Sequence, residues 1–320
     1  MKARLRFFIV LSSLTIIALA SLALGPAGLR TPLDYLDGID GVERYRLLRT
    51  LAAAVVGVSL ALGGGVLQQS LRNPLVDPYL LGISTGASLS VAIGLLLGLA
   101  GPLEMGFLAI VGGLASYSLV IATAGLAGFT GSSLIIVGVA YSYLFSSVTT
   151  LLVISFPDKL QGSLYWIFGS AAYIDREVLS LAVISALAAL AVVVIRLNAL
   201  EALSLGEEAA EGLGVDVRRL RLDSVTFSLM AVATAVALAG PVGFVGLTAP
   251  WIARLLGSTR FSQLAVYSIP LGAGLVLLSD IIARTAASPS ELPLTPVTSL
   301  LGVPVLVYAT LERWKRLEAL

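Results

Sequence analysis

The sequence has no cysteine and no histidine. Without cysteine there are no disulfides, no thiolate nucleophile and no thiolate metal site. Without histidine there is no Ser-His-Asp triad, no imidazole proton relay and no common zinc centre. Charge is scarce as well. Twenty Lys and Arg against 19 Asp and Glu leave 12% of the 320 residues charged, for a net charge of +1. Soluble domains carry about a quarter. A chain with so little polar surface cannot cover itself in water, which excludes an ordinary soluble enzyme. The near-neutral balance argues against nucleic acid as a partner, since that needs concentrated positive charge. What is abundant is apolar: 58% of the residues are hydrophobic. This is the composition of an all-α polytopic membrane protein embedded in a lipid bilayer.

A bilayer core of about 30 Å needs roughly 20 apolar residues per helix. Uncharged windows give ten spans in one transmembrane domain over residues 1–320. They are Phe7–Leu24, Leu51–Leu71, Pro78–Leu103, two spans within Met105–Pro157 broken at Gly128–Ser133, and Val178–Ile195. Ser224–Ala253 gives a full span, a turn at GPVG and a short helix from about Phe244 to Leu256. Phe261–Ser279 and Leu292–Leu311 complete the set. Leu160–Ile174 is a re-entrant or surface helix. Thirteen of the 20 Lys and Arg residues then fall on the side of the termini and seven on the other. By the positive-inside rule both termini are cytoplasmic. The basic start followed by an apolar run also resembles a secretory signal, but it ends in Gly25-Pro26 without a small-x-small cleavage site, and reads as an uncleaved first span. A cytoplasmic loop covers about 198–223, and outer loops cover about 26–48, 157–176 and 287–296.

Five segments carry more than hydrophobicity. Arg46 and Arg49, three apart on one helix face, sit at the outer mouth of the second span. They either anchor a helix end at the headgroups or pair with the carboxylates of an outside partner. Gly63-Gly64-Gly65 lacks a following Gly-Lys-Ser/Thr, so it is no phosphate loop and instead lets helices approach closely. Asn73-Pro74 and Asp77-Pro78 break the chain at the inner boundary. In the loop Asn198–Ser224, Ser204 is placed to cap a helix opening with Glu207 and Glu208, and a short basic helix through Arg218, Arg219 and Arg221 follows. Such a short amphipathic helix suits a soluble partner's groove. GPVGFVGLTAPWIARLLGS at Gly240–Ser258 interrupts an apolar segment, as a re-entrant packing element or along a translocation path. In the fifth span Gly138, Ser142, Ser146 and Thr149 make one small, polar stripe, for tight helix contact or a wet path. Asp280 and Arg284 are spaced i, i+4 to pair, with Arg284 reaching the outer surface and Glu291 in the next turn.

Together these strings resemble the FecCD-type permease subunits of ABC importers for iron–siderophore, haem and cobalamin. The matching strings are RLLR at Arg46–Arg49, NPLVDPYLLGISTGA with Asn73, Pro74, Pro78, Gly82 and Gly86, and LGEEAAEGLGV at Leu205–Val215. GPVGFVGLTAPWIAR with Gly240, Pro241, Gly243, Gly246 and Pro250, and DIIARTAASPSELP, follow in order. The resemblance implies the type II importer fold: a homodimer of ten-span subunits with one path between them. Two ATPase subunits, which bind the ATP and Mg, would sit on the cytoplasmic face. An extracytoplasmic binding protein would deliver the substrate. On the same grounds Arg46, Arg49 and Arg284, beside Glu291, would receive acidic residues of that binding protein. Leu205, Gly206, Glu207, Glu208, Ala210, Gly214 and Val215 would couple to the ATPase. Thr130, Ser132 and Ser133 would form an inner gate, with the hydroxyl stripe facing the path. Trp251 stands where the family usually has His, and Pro296 is added after ELP, departures expected to alter the outer mouth or the packing of the last helices. No Walker A string exists, so the chain is not expected to bind or hydrolyse ATP, and no cofactor or catalytic site is expected in it. An ion-coupled secondary transporter would need intramembrane carboxylates, and Asp280 is the one within a span. An intramembrane enzyme would need His, Cys or an Asp-rich metal cluster.

Overall fold

The computed structural model describes residues 2–25, 28–29, 41–160, 164–172 and 174–318. Among these there is no strand. The helices are α1 (Lys2–Ala23), α2 (Gly41–Ser70), α3 (Ile83–Leu96), α4 (Pro102–Leu126), α5 (Gly131–Ser155), α6 (Pro157–Leu160) and α7 (Leu164–Ile167). There follow α8 (Arg176–Ile195), α9 (Leu197–Ala202), α10 (Glu207–Gly212), α11 (Val217–Ala239), α12 (Val245–Leu255), α13 (Phe261–Thr285) and α14 (Leu294–Glu318). Eight of them are long and apolar enough to cross a bilayer. The other two expected spans are the shorter α3 and α12, so the ten apolar windows each become a helix.

The boundaries differ where local chemistry overrides hydropathy. The third window does not run to Leu103: α3 stops at Leu96, Gly98 turns left-handed at φ 89°, and Pro102 opens α4 in its first turn. Its start is a 3₁₀ turn, Pro78–Leu81, capped by the Asp77 carboxylate, which accepts from the Tyr79 amide at 2.8 Å. The second span begins at Gly41, so residues 41–48 are helix rather than loop, and residues 30–40 of that outer loop lie outside the described ones. The basic run after Gly214 is no separate helix but the first turns of α11, capped by Asp216.

α2 occupies the middle, packed by α13, α11, α12 and α8. Its glycines allow this. A methyl group on Gly64 would overlap the Gly246 backbone of α12, and one on Gly57 would overlap Gly272 of α13. α1 and α5 lie outermost, with Phe8, Ile16, Ile136 and Ile154 exposed. In water such an apolar belt would aggregate, but in a bilayer it faces lipid.

The GPVG interruption is covered by protein. The Ala239 carbonyl accepts from the Ser170 amide at 2.8 Å, Pro241 O from Thr295 Oγ1 at 2.7 Å, and Gly243 O from Thr298 Oγ1 at 3.0 Å. Gly240, at φ 64°, touches the Trp166 carbonyl with no room for a Cβ. Beside it, α6 and α7 bury Leu160 and Trp166 in the core. Of the two readings of GPVG, the packing element is the one these contacts describe.

Candidate functional site

Three clusters collect the residues singled out by sequence. At the outer end (by the Lys/Arg bias) lies a charge cluster. Arg49 of α2 is 2% exposed and donates to Asp280 of α13 at 2.8 and 2.9 Å. Its other face donates to both Glu291 carboxylate oxygens at 2.7 and 2.8 Å. Arg284 pairs with Asp280 at 3.5 Å, as the i, i+4 spacing predicts. It does not reach the outer surface: it is buried and donates to the carbonyl and hydroxyl of Ser21 in α1 at 2.7 and 2.8 Å. Arg46 is buried too, spent on the carbonyls of Ala23 and Gly28 at 2.8 and 2.7 Å. The physical reason is helix length. Because α2 starts at Gly41, both arginines fall inside the bundle and must find partners there. A cavity of about 310 Å³ borders Tyr45, Arg46, Arg49 and Arg284. Glu291 is the member of the cluster that solvent reaches, at 26% exposure.

The pathway stripe on α5 divides in two. Gly138 and Ser142 pack on the 3₁₀ turn: Gly138 has no space for a Cβ beside Leu80 O, and the Ser142 hydroxyl donates to Tyr79 O at 3.3 Å. Ser146 and Thr149, with Thr85, Ser88 and Thr150, line a hydroxyl-rich cavity of about 220 Å³. The first half of the stripe is thus tight helix contact, while in the second half the Thr149 and Thr150 hydroxyls donate to the Phe145 and Ser146 carbonyls of their own helix. The turn before α5 is a reciprocal cap. Thr130 Oγ1 accepts from the Ser133 amide at 3.1 Å and Ser133 Oγ from the Thr130 amide at 3.0 Å. Ser132 beside them is exposed.

The inner loop forms α9, a 3₁₀ turn at Leu203–Leu205, and α10. Ser204 does not cap α10; its hydroxyl donates back to Glu201 O at 2.6 Å. Gly206 takes the cap position at φ 124°, which a side chain would resist. Glu207 and Glu208 open the helix and Ala210 is buried beneath it. Gly214 ends it at φ 82°, followed by Val215. Leu205 and Leu213 stand 70% and 66% exposed on either side of α10. Glu201 accepts from the hydroxyl and amide of Ser262, which holds its carboxyl below the usual range and ties α9 to α13.

The Gly- and Pro-containing strings serve as joints between these clusters. Asn73 Oδ1 accepts from the Leu75 amide at 2.9 Å, and Gly86 lies against Ser116 and Gly112 of α4. Gly82, at φ 81°, ends the 3₁₀ turn and starts α3. Gly243 N donates to Thr295 Oγ1 at 3.3 Å, and Pro250 lies within the buried face of α12. Trp251 lies at the end of the bundle opposite the Arg49 cluster, the inner end by the Lys/Arg bias: its indole donates to Pro74 O at 2.9 Å, and Arg254 lies over its ring. Pro296 sits in the first turn of α14, where no amide is needed.

Two hubs escaped the sequence reading. Gln68 donates to Val76 O and Gly246 O, both at 3.2 Å, and accepts from Arg254 at 2.7 Å. Arg221, only 4% exposed, bonds Ser70, Phe129 and Glu207. A signal for the second was present: Val217, Arg221, Ser224, Val225 and Ser228 share one helical stripe, and an arginine on an otherwise small and apolar face needs partners. Among the described residues no group of acidic side chains is placed to hold a metal ion.

Residues 5–312 match the FecCD transport family. The Fe(3+) dicitrate transport system permease protein FecC of Escherichia coli is 35% identical over 279 residues, covering 85% of this chain and 83% of that one. The vitamin B12 import system permease protein BtuC of Vibrio cholerae is 37% identical over 273 residues, covering 83% and 81%. A solved structure described as an inward-facing conformation of a metal-chelate type ABC transporter superposes with a TM-score of 0.84 at 30% identity, over 96% of this chain and 98% of that one. Fold, span order and matched length agree, and the chain belongs to the FecCD transport family.

Proposed function

We propose that this chain is the permease of an ATP-driven importer that moves an iron chelate, haem or cobalamin-type substrate across the cell membrane. It works as a homodimer. Two ATPase subunits, holding ATP and Mg, clamp the cytoplasmic face, and an extracytoplasmic binding protein docks on the other. The termini lie in the cytoplasm.

One observation carries this reading: α10 is a short helix projecting from the bundle, with Leu205 and Leu213 exposed beside it and an acidic first turn. Exposed apolar side chains on so small a helix are costly in water and fit a partner's groove. The chain cannot supply the energy itself, because it has no phosphate loop. Asp280, the carboxylate an ion-coupled transporter would use, is committed to Arg49 and Arg284 within the subunit. Substrate would descend past Ser146 and Thr149 towards the turn at Thr130, Ser132 and Ser133. At the outer face, acidic groups of the binding protein would enter the cavity beside Arg46, Arg49 and Arg284 and compete with Glu291 for Arg49.

Reconstitution tests the whole. In liposomes containing the permease and its ATPase, chelate uptake should require external binding protein and internal ATP. Uptake by the permease alone, driven by a pH or ion gradient, would refute the proposal.

A further inference from the structure

Arg221 lies on the buried face of α11 and joins three segments that are far apart in sequence. Its Nε donates to Ser70 O, the last residue of α2, at 3.1 Å. One terminal nitrogen donates to Phe129 O, in the turn that feeds α5, at 3.3 Å. The other donates to Glu207 Oε1, in the first turn of α10, at 2.7 Å. The Phe129 turn is strained, with φ at 52°, and Arg218 covers its ring from 6.0 Å.

The three bonds differ in kind. The two carbonyl bonds are buried, and losing them would strand a charge inside the protein. The Glu207 bond is 46% exposed on the carboxylate side, and such pairs are screened and easily broken. Between α10 and the turn lies a cavity of about 360 Å³ bordered by Gly125, Gly128, Thr130, Glu207 and Glu211. α10 therefore does not press on the turn through packed side chains there. The guanidinium crosses the gap instead.

We infer that Arg221 is a positioning residue that passes displacement of α10 to the Phe129 turn and the end of α2, and so sets the inner gate. The inference rests on the importer reading above, because α10 moves only if an ATPase moves it.

The test uses the full complex of permease, ATPase and binding protein in lipid nanodiscs. The sequence has no cysteine, so Ser132→Cys or Ala209→Cys gives one spin label per subunit. Distances across the dimer are measured by electron–electron resonance with and without ATP. Both label pairs should shift in the otherwise unchanged protein. With Arg221→Lys added, the Ala209 pair should still shift, while the shifted fraction of the Ser132 pair falls about threefold, since one ammonium cannot hold three segments and a half-exposed ion pair couples no more strongly than that. Arg221→Gln, which can still donate to a carbonyl but gives up the ion pair, should act alike. Should these variants fail to fold, the unsubstituted protein at high salt, which screens the pair, carries the test and should lose the Ser132 shift in the same sense. An undiminished Ser132 shift in a folded Arg221 variant, or at high salt, overturns the inference and leaves the importer reading standing. Loss of both shifts assigns Arg221 to the fold of α10 alone and also overturns it. No shift of the Ala209 pair before any further substitution overturns the importer reading itself.

Discussion

Arg49 and Arg221 are both buried arginines that bridge helices, yet the two ends of the molecule use them differently. At the outer end Arg49 is enclosed with Asp280 at 2% and 0% exposure, and Glu291 closes the third side. At the inner end Arg221 grips carbonyls, and its one acidic partner is half in water. The nearby Arg196–Asp223 pair is 39% and 34% exposed. Desolvated ions are costly to separate, whereas wet ones part readily. The outer end is thus knitted shut within the subunit, and the inner end is tied with bonds that can be remade.

The sharpest way to break this contrast is Arg49→Met. It leaves Asp280 buried with only the 3.5 Å contact to Arg284, and should cost about 3–5 kcal/mol of stability. Thermal unfolding in detergent would read this directly. A smaller loss is expected from Trp251→Phe at the inner end, which keeps an aromatic face but deletes the hydrogen bond to Pro74 O and part of the buried ring. About 1–2 kcal/mol in a denaturant titration is the expected size. Smallest is Arg196→Gln, whose exposed ion pair should be worth about 0–1 kcal/mol. If Arg196→Gln destabilised as much as Arg49→Met, the distinction between the two ends would fail.

Much of this was legible in the residues. Hydropathy found the eight span-length helices and the shorter α3 and α12, because a bilayer demands length and apolarity and little else. The Gly63–Gly65 run signalled close approach, and Gly64 indeed meets Gly246. The i, i+4 spacing gave the Asp280–Arg284 pair. What spacing cannot give is depth. Arg46, Arg49 and Arg284 look alike at helix ends, and only the start of α2 at Gly41 and the crossing of α1 bring them inside. Long-range partners such as Trp251 and Pro74, or Arg221 and Phe129, depend on how α12 and α11 cross α2, which no local pattern encodes. Ser204 misled for a local reason: its hydroxyl bonds the Glu201 carbonyl behind it, a partner that competes with the amides ahead.

The contact of Gly64 with Gly246 has one more consequence. Two helices whose main chains touch without intervening side chains have no cushion to slide on, so α2 and α12 are expected to tilt together as one stiff lever. In the homodimer proposed above, a passage would then open by swinging this lever against its twin.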